Sequence, residues 1–142
     1  MPKNSISIKW RNSTLEMLPS KALLLPQTSE LLICDVHLGK AEFFQQNGIP
    51  LTNNSDEQNL LRIKNIVEEY RPNKLIILGD LFHSKYSISE TLKSKVEYLA
   101  EMLKIKIELI VGNHDVGCKI KNITFINYKR SSHFIFSHEP IG

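Results

Sequence analysis

The stretch LIILGDLFHS, residues 75–84, decides the fold because a strongly apolar run passes directly into polar side chains. Its first four residues are apolar, Gly79 and Asp80 follow at once, and His83 comes three positions later. A short continuous apolar run is typical of a strand buried on both faces in a parallel sheet. We therefore expect a central strand that delivers Asp80 to a ligand site at its carboxyl end.

Composition limits the kind of protein. The chain has 142 residues, of which 42% are hydrophobic and 23% charged, and this predicts one domain over residues 1–142. No apolar run approaches the roughly 20 residues that span a bilayer, and the first ten residues do not resemble an export signal, so we expect no membrane association. Cys34 and Cys118 are too widely spaced for a disulfide framework, which favours a reducing cytoplasm. We expect Cys34 to be buried.

Apolar runs alternate with helical patterns along most of the chain. An amphipathic helix is predicted over 55–70 and another over 87–103, with a shorter helix over 40–48 that ends at Gly48. Strands are predicted within 5–10, 21–26, 31–37, 74–80, 106–115, 123–127 and 133–139. This alternation indicates an α/β fold.

Polar side chains follow several of these predicted strands. They are Asp35 and His37, then Asp80, then Asn113, His114 and Asp115, and finally His138. Because the carboxyl ends of parallel strands meet at one edge of a sheet, residues far apart in sequence are expected to converge there. If the first strand stays extended, Asp35 and His37 point to the same face and can bind one cation.

The residue types indicate metal binding. Asp80 has two carboxylate oxygens and can bridge two cations, while Asn113 offers an amide oxygen and His138 an imidazole nitrogen. This mixture suits Mn²⁺, Fe or Zn²⁺. Two such ions roughly 3.5–4 Å apart promote displacement at phosphorus.

The ordered motifs D-x-H (35–37), G-D (79–80), G-N-H-D (112–115) and a later strand-end histidine resemble the calcineurin-like metallophosphoesterase superfamily. LLICDVHLGKAEFFQQNGIPL, LIILGDLFHS, IVGNHD and FSHEP together look most like the bacterial ligase-associated DNA damage response endonucleases. The resemblance implies a four-layer sandwich, in which two mixed sheets are flanked by helices and two divalent ions, chiefly Mn²⁺, lie at one edge.

The resemblance also implies a role for each matching residue. Asp35, His37 and Asp80 would hold the first metal, and Asp80, Asn113 and His138 the second. His114 would act at the leaving oxygen, oriented by Asp115. The superfamily's final Gly-His-x-His loop is absent from this sequence, so each metal lacks one ligand within it. We expect a C-terminally incomplete domain with weakened metal affinity, a partner or water that completes the coordination, or an impaired site.

Two further residues bear on the substrate. By resemblance to double-strand-break repair nucleases, His83 would lie near the scissile phosphate, although a packing role is nearly as plausible. Lys40, at the start of a predicted helix, can meet a phosphate or remain solvated. The net charge of +3 favours an anionic partner weakly.

The sequence therefore predicts a metal-dependent phosphodiesterase or endonuclease that acts on DNA in repair, with a helicase and a DNA ligase as functional partners by resemblance only. One alternative is a phosphomonoesterase acting on a nucleotide or sugar phosphate. Another is a non-catalytic interaction module that keeps the fold. Homo-oligomerisation, the metal's identity and the true substrate are left open.

Overall fold

A computed structural model describes residues 5–34, 36–39, 48, 55–82, 89–111, 119–130 and 134–137. The strands are β1 (Ile6–Trp10), β2 (Ser13–Leu18), β3 (Ala22–Leu25), β4 (Glu30–Ile33), β5 (Lys74–Leu78), β6 (Lys106–Ile110), β7 (Ile123–Ile126), β8 (Lys129–Arg130) and β9 (Ile135–Phe136). The helices are α1 (Ser55–Tyr70), between β4 and β5, and α2 (Glu90–Leu103), between β5 and β6.

The first seven strands form one mixed sheet in the order β1-β2-β3-β4-β5-β6-β7. Pairing is antiparallel from β1 to β4 and parallel from β4 to β7, so β4 joins the two halves. The strands β8 and β9 pair with each other as a separate two-stranded sheet. The predicted α/β class with mixed sheets is confirmed, and within the described residues the second sheet consists of this ribbon.

Both faces of the central strands are buried, as their continuous apolar runs predict. One face packs under α1 and α2 and contributes Leu31, Ile33, Leu75 and Ile77 to the larger core. The opposite face forms a smaller core around Leu25, Leu32, Ile76 and Ile110, and Phe134 and Phe136, which flank and end β9, pack against it. Helices and ribbon thus sandwich the sheet and exclude water from its parallel half.

The helix predictions hold closely where the structure describes the chain. The helix α1 occupies the predicted range, and Ile63, Ile66 and Val67 lie in the core. The helix α2 begins later than predicted, at Glu90, because the Ser89 hydroxyl caps it by accepting a hydrogen bond from Leu92 N. The predicted helix over 40–48 lies outside the described residues except for Gly48. Neither described helix is long and apolar enough to cross a membrane.

The strand β2 was not predicted, because Ser13, Thr14 and Glu16 interrupt its apolar pattern. It pairs with β1 through a hairpin that turns at Arg11 and Asn12. The carboxylate of Glu16 is buried at 5% exposure and accepts hydrogen bonds from two β1-side hydroxyls, at 3.1 Å from Ser5 and 2.7 Å from Ser7. A polar residue therefore occupies a buried position with its partners supplied by the neighbouring strand.

Four charged side chains fasten the ribbon to the sheet at the end opposite the strand-end motifs. Lys129 Nζ lies 2.8 Å from Glu108 Oε1 and 3.2 Å from Glu30 Oε2. Lys74 Nζ lies 2.7 Å from the same Glu108 oxygen. Burial disfavours ionisation of Glu108, but hydrogen bonds from Lys129 and Lys74 outweigh it and lower the pKa of the carboxyl.

Replacing Lys129 by Met should lower the free energy of unfolding by about 2 kcal/mol, because two largely buried carboxylates would then share one lysine. The contribution of Glu108 is fully present above its ordinary pKa of 4.5 and is lost as the pH falls through its lowered folded value. Urea denaturation across this acidic range measures both effects. Lys9→Met, at an exposed position of β1, is the matched control. Equal stability of the two variants at neutral pH would show that the network contributes nothing.

The backbone at the end of β5 requires a glycine for its conformation. Gly79 has a φ of 73°, in the left-handed region that residues with a Cβ avoid. Gly79→Ala should therefore reduce stability by roughly 1–2 kcal/mol, whereas Gly79→Asn should cost less because asparagine tolerates this conformation. Thermal unfolding of the two variants beside the unchanged chain provides the measurement. An alanine variant as stable as the parent would contradict the conformational role.

Candidate metal centre

The sheet places the ends of β4, β5 and β6 side by side. Ile33 pairs with Ile77, and Leu78 pairs with Ile110, so the three strands run in parallel register to the same edge. This arrangement is the one expected from the alternation of strands and helices. It brings the residues that follow β4 next to the residues that follow β5.

Backbone hydrogen bonds continue between these two chain segments after the strands have ended. His37 N donates to Asp80 O at 3.0 Å, and Leu38 N donates to Leu81 O at 2.7 Å. A parallel bridge also joins Leu38 to Phe82. The turn that carries His37 is therefore fixed directly against the turn that carries Asp80.

Both predicted ligands have unusual backbone conformations. His37 has a φ of 50° and Asp80 a φ of 49°, in the left-handed region that costs a non-glycine residue roughly 1–2 kcal/mol. Strained residues of this kind persist only where the surrounding structure holds them. Here the holding structure includes Leu38, Leu81 and Phe82, which are at most 1% exposed.

The left-handed turn corrects one expectation about side-chain direction. Asp35 and His37 were expected to share one face on the condition that the strand stays extended. In the structure β4 ends at Ile33, and His37 lies in a turn, so strand alternation does not set its direction. Its position follows instead from the hydrogen bond to Asp80 O.

The described part of the site has suitable donor atoms for a divalent cation. His37 and Asp80 are half-buried, and His37 Nδ1 and Asp80 Oδ1 are shielded from solvent. An imidazole and a carboxylate on two backbone-linked turns fit Mn²⁺, Fe or Zn²⁺. Within the described ranges, no group of three or more His, Cys, Asp and Glu side chains forms a complete metal site.

The helix α1 holds the turn that carries His37 from a third direction. Gly39 N donates to Asp56 Oδ1 at 2.9 Å, and Asn59 Nδ2 donates to Val36 O at 3.2 Å. Neither Asp56 nor Asn59 was predicted to have a role at the site. An acid and an amide three residues apart in the first turns of a helix are the available signal, but they do not identify the loop that they bind.

The remaining predicted site residues lie outside the described part of the chain. They are Asp35, Lys40, His83, Asn113, His114, Asp115 and His138. Their roles stay predictions. Cys34, which was expected to be buried, is instead exposed, because it follows the last residue of β4 where the chain leaves the sheet.

Comparison with known proteins agrees with this geometry. A family model described as calcineurin-like phosphoesterase matches residues 31–142. One of the subunits of the nuclease SbcCD from Staphylococcus epidermidis is 38% identical over 85 residues, which are 57% of this chain and 21% of that protein. The crystal structure of Pseudomonas putida nuclease MPE matches with a TM-score of 0.73 and 30% identity, covering 87% of this chain and 60% of that one.

The chain thus spans less than two thirds of the length of either nuclease protein. The family match is broader from this chain's side, because it begins at the second residue of β4 and includes every strand-end motif. The resemblance to the superfamily drawn from those motifs is confirmed. On the extent of this match, the chain belongs to the calcineurin-like phosphoesterase family.

Proposed function

We propose that this chain is the catalytic phosphoesterase unit of a metal-dependent nuclease that cleaves phosphodiester bonds in DNA. The observation that carries the proposal is the hydrogen-bonded pair of turns that sets His37 beside Asp80 at the carboxyl edge of the sheet. Membership of the phosphoesterase family gives the reaction class. The two nucleases it resembles support a nucleic acid as the substrate.

The proposed ligand sets follow the sequence motifs. Asp35, His37 and Asp80 would hold one divalent cation, and Asp80, Asn113 and His138 a second. Such ions supply Lewis acidity to the phosphoryl oxygens. We favour Mn²⁺, with Fe or Zn²⁺ as the other candidates.

The protein groups around the ions would handle protons and position the substrate. His114 would stabilise or protonate the leaving oxygen, with Asp115 holding its ring, because imidazole titrates near neutral pH and a carboxylate fixes its tautomer. His83 would lie beside the scissile phosphate. Lys40 would donate to a non-bridging phosphate oxygen.

Charge supports a polyanionic substrate to a modest degree. The chain has 18 lysine and arginine residues against 15 acids, and the excess grows if Asp35, Asp80 and Asp115 are committed to the site. DNA repair in the cytoplasm, alongside a helicase and a DNA ligase, is the setting that the sequence resemblance favours. These assignments belong to the proposal.

Asp80→Ala should remove at least 99% of the Mn²⁺-dependent cleavage of a chromogenic phosphodiester and of plasmid DNA, because Asp80 is the shared ligand. The loss corresponds to the roughly 10²-fold effects seen when metal coordination is disturbed. Asp80→Asn should retain more metal binding but less activity. Glu68→Ala, at an exposed position of α1, is the matched control.

Turnover in Asp80→Ala equal to that of the parent chain would overturn the assignment. Faster cleavage of a phosphomonoester than of the diester would indicate a phosphomonoesterase. Metal analysis gives a further check, because a non-catalytic interaction module should bind well under one ion per chain. Both activity assays should be run at saturating Mn²⁺, so that incomplete metal occupancy does not limit either rate.

A further inference from the structure

We infer that Asp56 and Asn59 of α1 are positioning residues that hold the His37 turn in the geometry that binds metal. The inference rests on the proposed function, because it assumes that His37 is a metal ligand. It adds a role for two residues that lie outside the strand-end motifs.

The two side chains bind the turn on either side of His37. Asn59 Nδ2 donates to the carbonyl of Val36, the residue before His37, at 3.2 Å. Asp56 Oδ1 accepts from the amide of Gly39, two residues after His37, at 2.9 Å. Residues three apart share one face of a helix, so a single face of α1 fixes both ends of the turn.

The burial of Asp56 argues against an ordinary acid of the first helical turn. Asp56 is only 7% exposed, whereas the neighbouring Glu57 side chain is 59% exposed and forms an ion pair with Lys95. A carboxylate near a helix amino end gains from the helix dipole whether or not it is buried. Burial adds a desolvation cost, which the hydrogen bond from Gly39 N offsets in part.

The turn needs such support because His37 is held in a left-handed conformation. On one side it is bound to Asp80 O, and on the other sides the bonds come from α1. Without the α1 bonds, the turn can relax toward common backbone conformations, and the imidazole would then move away from Asp80. Groups that orient metal ligands in this way typically affect metal affinity by 10–100-fold.

The test compares metal affinity with stability in matched variants of the whole chain. Asp56→Ala and Asn59→Leu should each weaken Mn²⁺ binding about tenfold in calorimetric titration. Asp56→Asn keeps an acceptor oxygen and should recover most of the affinity. Gln58→Ala, an exposed neighbour on α1, should leave affinity within about twofold of the parent.

A second control separates positioning from simple loss of stability. Val96→Ala removes core volume from α2, at a residue 4% exposed, and should lower the melting temperature without changing the Mn²⁺ affinity. If Asp56→Ala and Asn59→Leu behave as Val96→Ala does, the two residues are merely structural and the inference is wrong.

Metal-free NMR of the His37 ring nitrogens distinguishes failure of the inference from failure of the proposed function. The resonances are assigned by comparison with His37→Asn. Asp56→Ala should shift them, while Val96→Ala should leave them in place. A parent chain that binds no Mn²⁺ would overturn the proposed function. Unshifted His37 resonances in Asp56→Ala would overturn the positioning role, whatever the metal result.

Discussion

The parallel pairing of β4 with β5 is the constraint on which the rest of the structure depends, because it continues past both strands as hydrogen bonds between two turns. The strand β4 also pairs antiparallel with β3, so it links the hairpin half of the sheet to the parallel half. Without this register, His37 and Asp80 would not face each other. Sheet topology and candidate site are therefore set by the same interaction.

The two ends of the parallel strands do different work. At the amino ends, Glu30, Lys74, Glu108 and Lys129 form a charged network that fastens the β8–β9 ribbon over the smaller core. At the carboxyl ends, the turns adopt left-handed conformations that are costly in isolation. We interpret this as a separation in which well-packed cores and a paired charge network support a strained edge. The helix α1 contributes to both, since it buries an apolar stripe and also binds the His37 turn.

Features that depend on local pattern were predictable from the sequence. The apolar run before Gly79 predicted β5, and the spacing of Ile63, Ile66 and Val67 predicted α1. The strand β1 was predicted from the alternation of Ile6, Ile8 and Trp10, although all three side chains are exposed. Alternation therefore identified the strand correctly without showing which side it buries.

Features that depend on long-range contacts were not predictable in the same way. The strand β2 is recognisable only once Glu16 has found the hydroxyls of β1. The contacts of Asp56 and Asn59 join residues 17 and 23 positions apart, and no periodic pattern encodes them. For the site, the motifs indicated which residue types converge, but the left-handed turn at His37 replaces the extended strand on which the expected side-chain direction rested.

The central claim is that His37 and Asp80 share a divalent cation because their turns are joined backbone to backbone. Anomalous diffraction at the manganese edge, from crystals grown with Mn²⁺, tests it most directly. We predict a peak within coordination distance of an imidazole nitrogen of His37 and a carboxylate oxygen of Asp80. Manganese bound elsewhere on the chain, with neither side chain in contact, would contradict the claim.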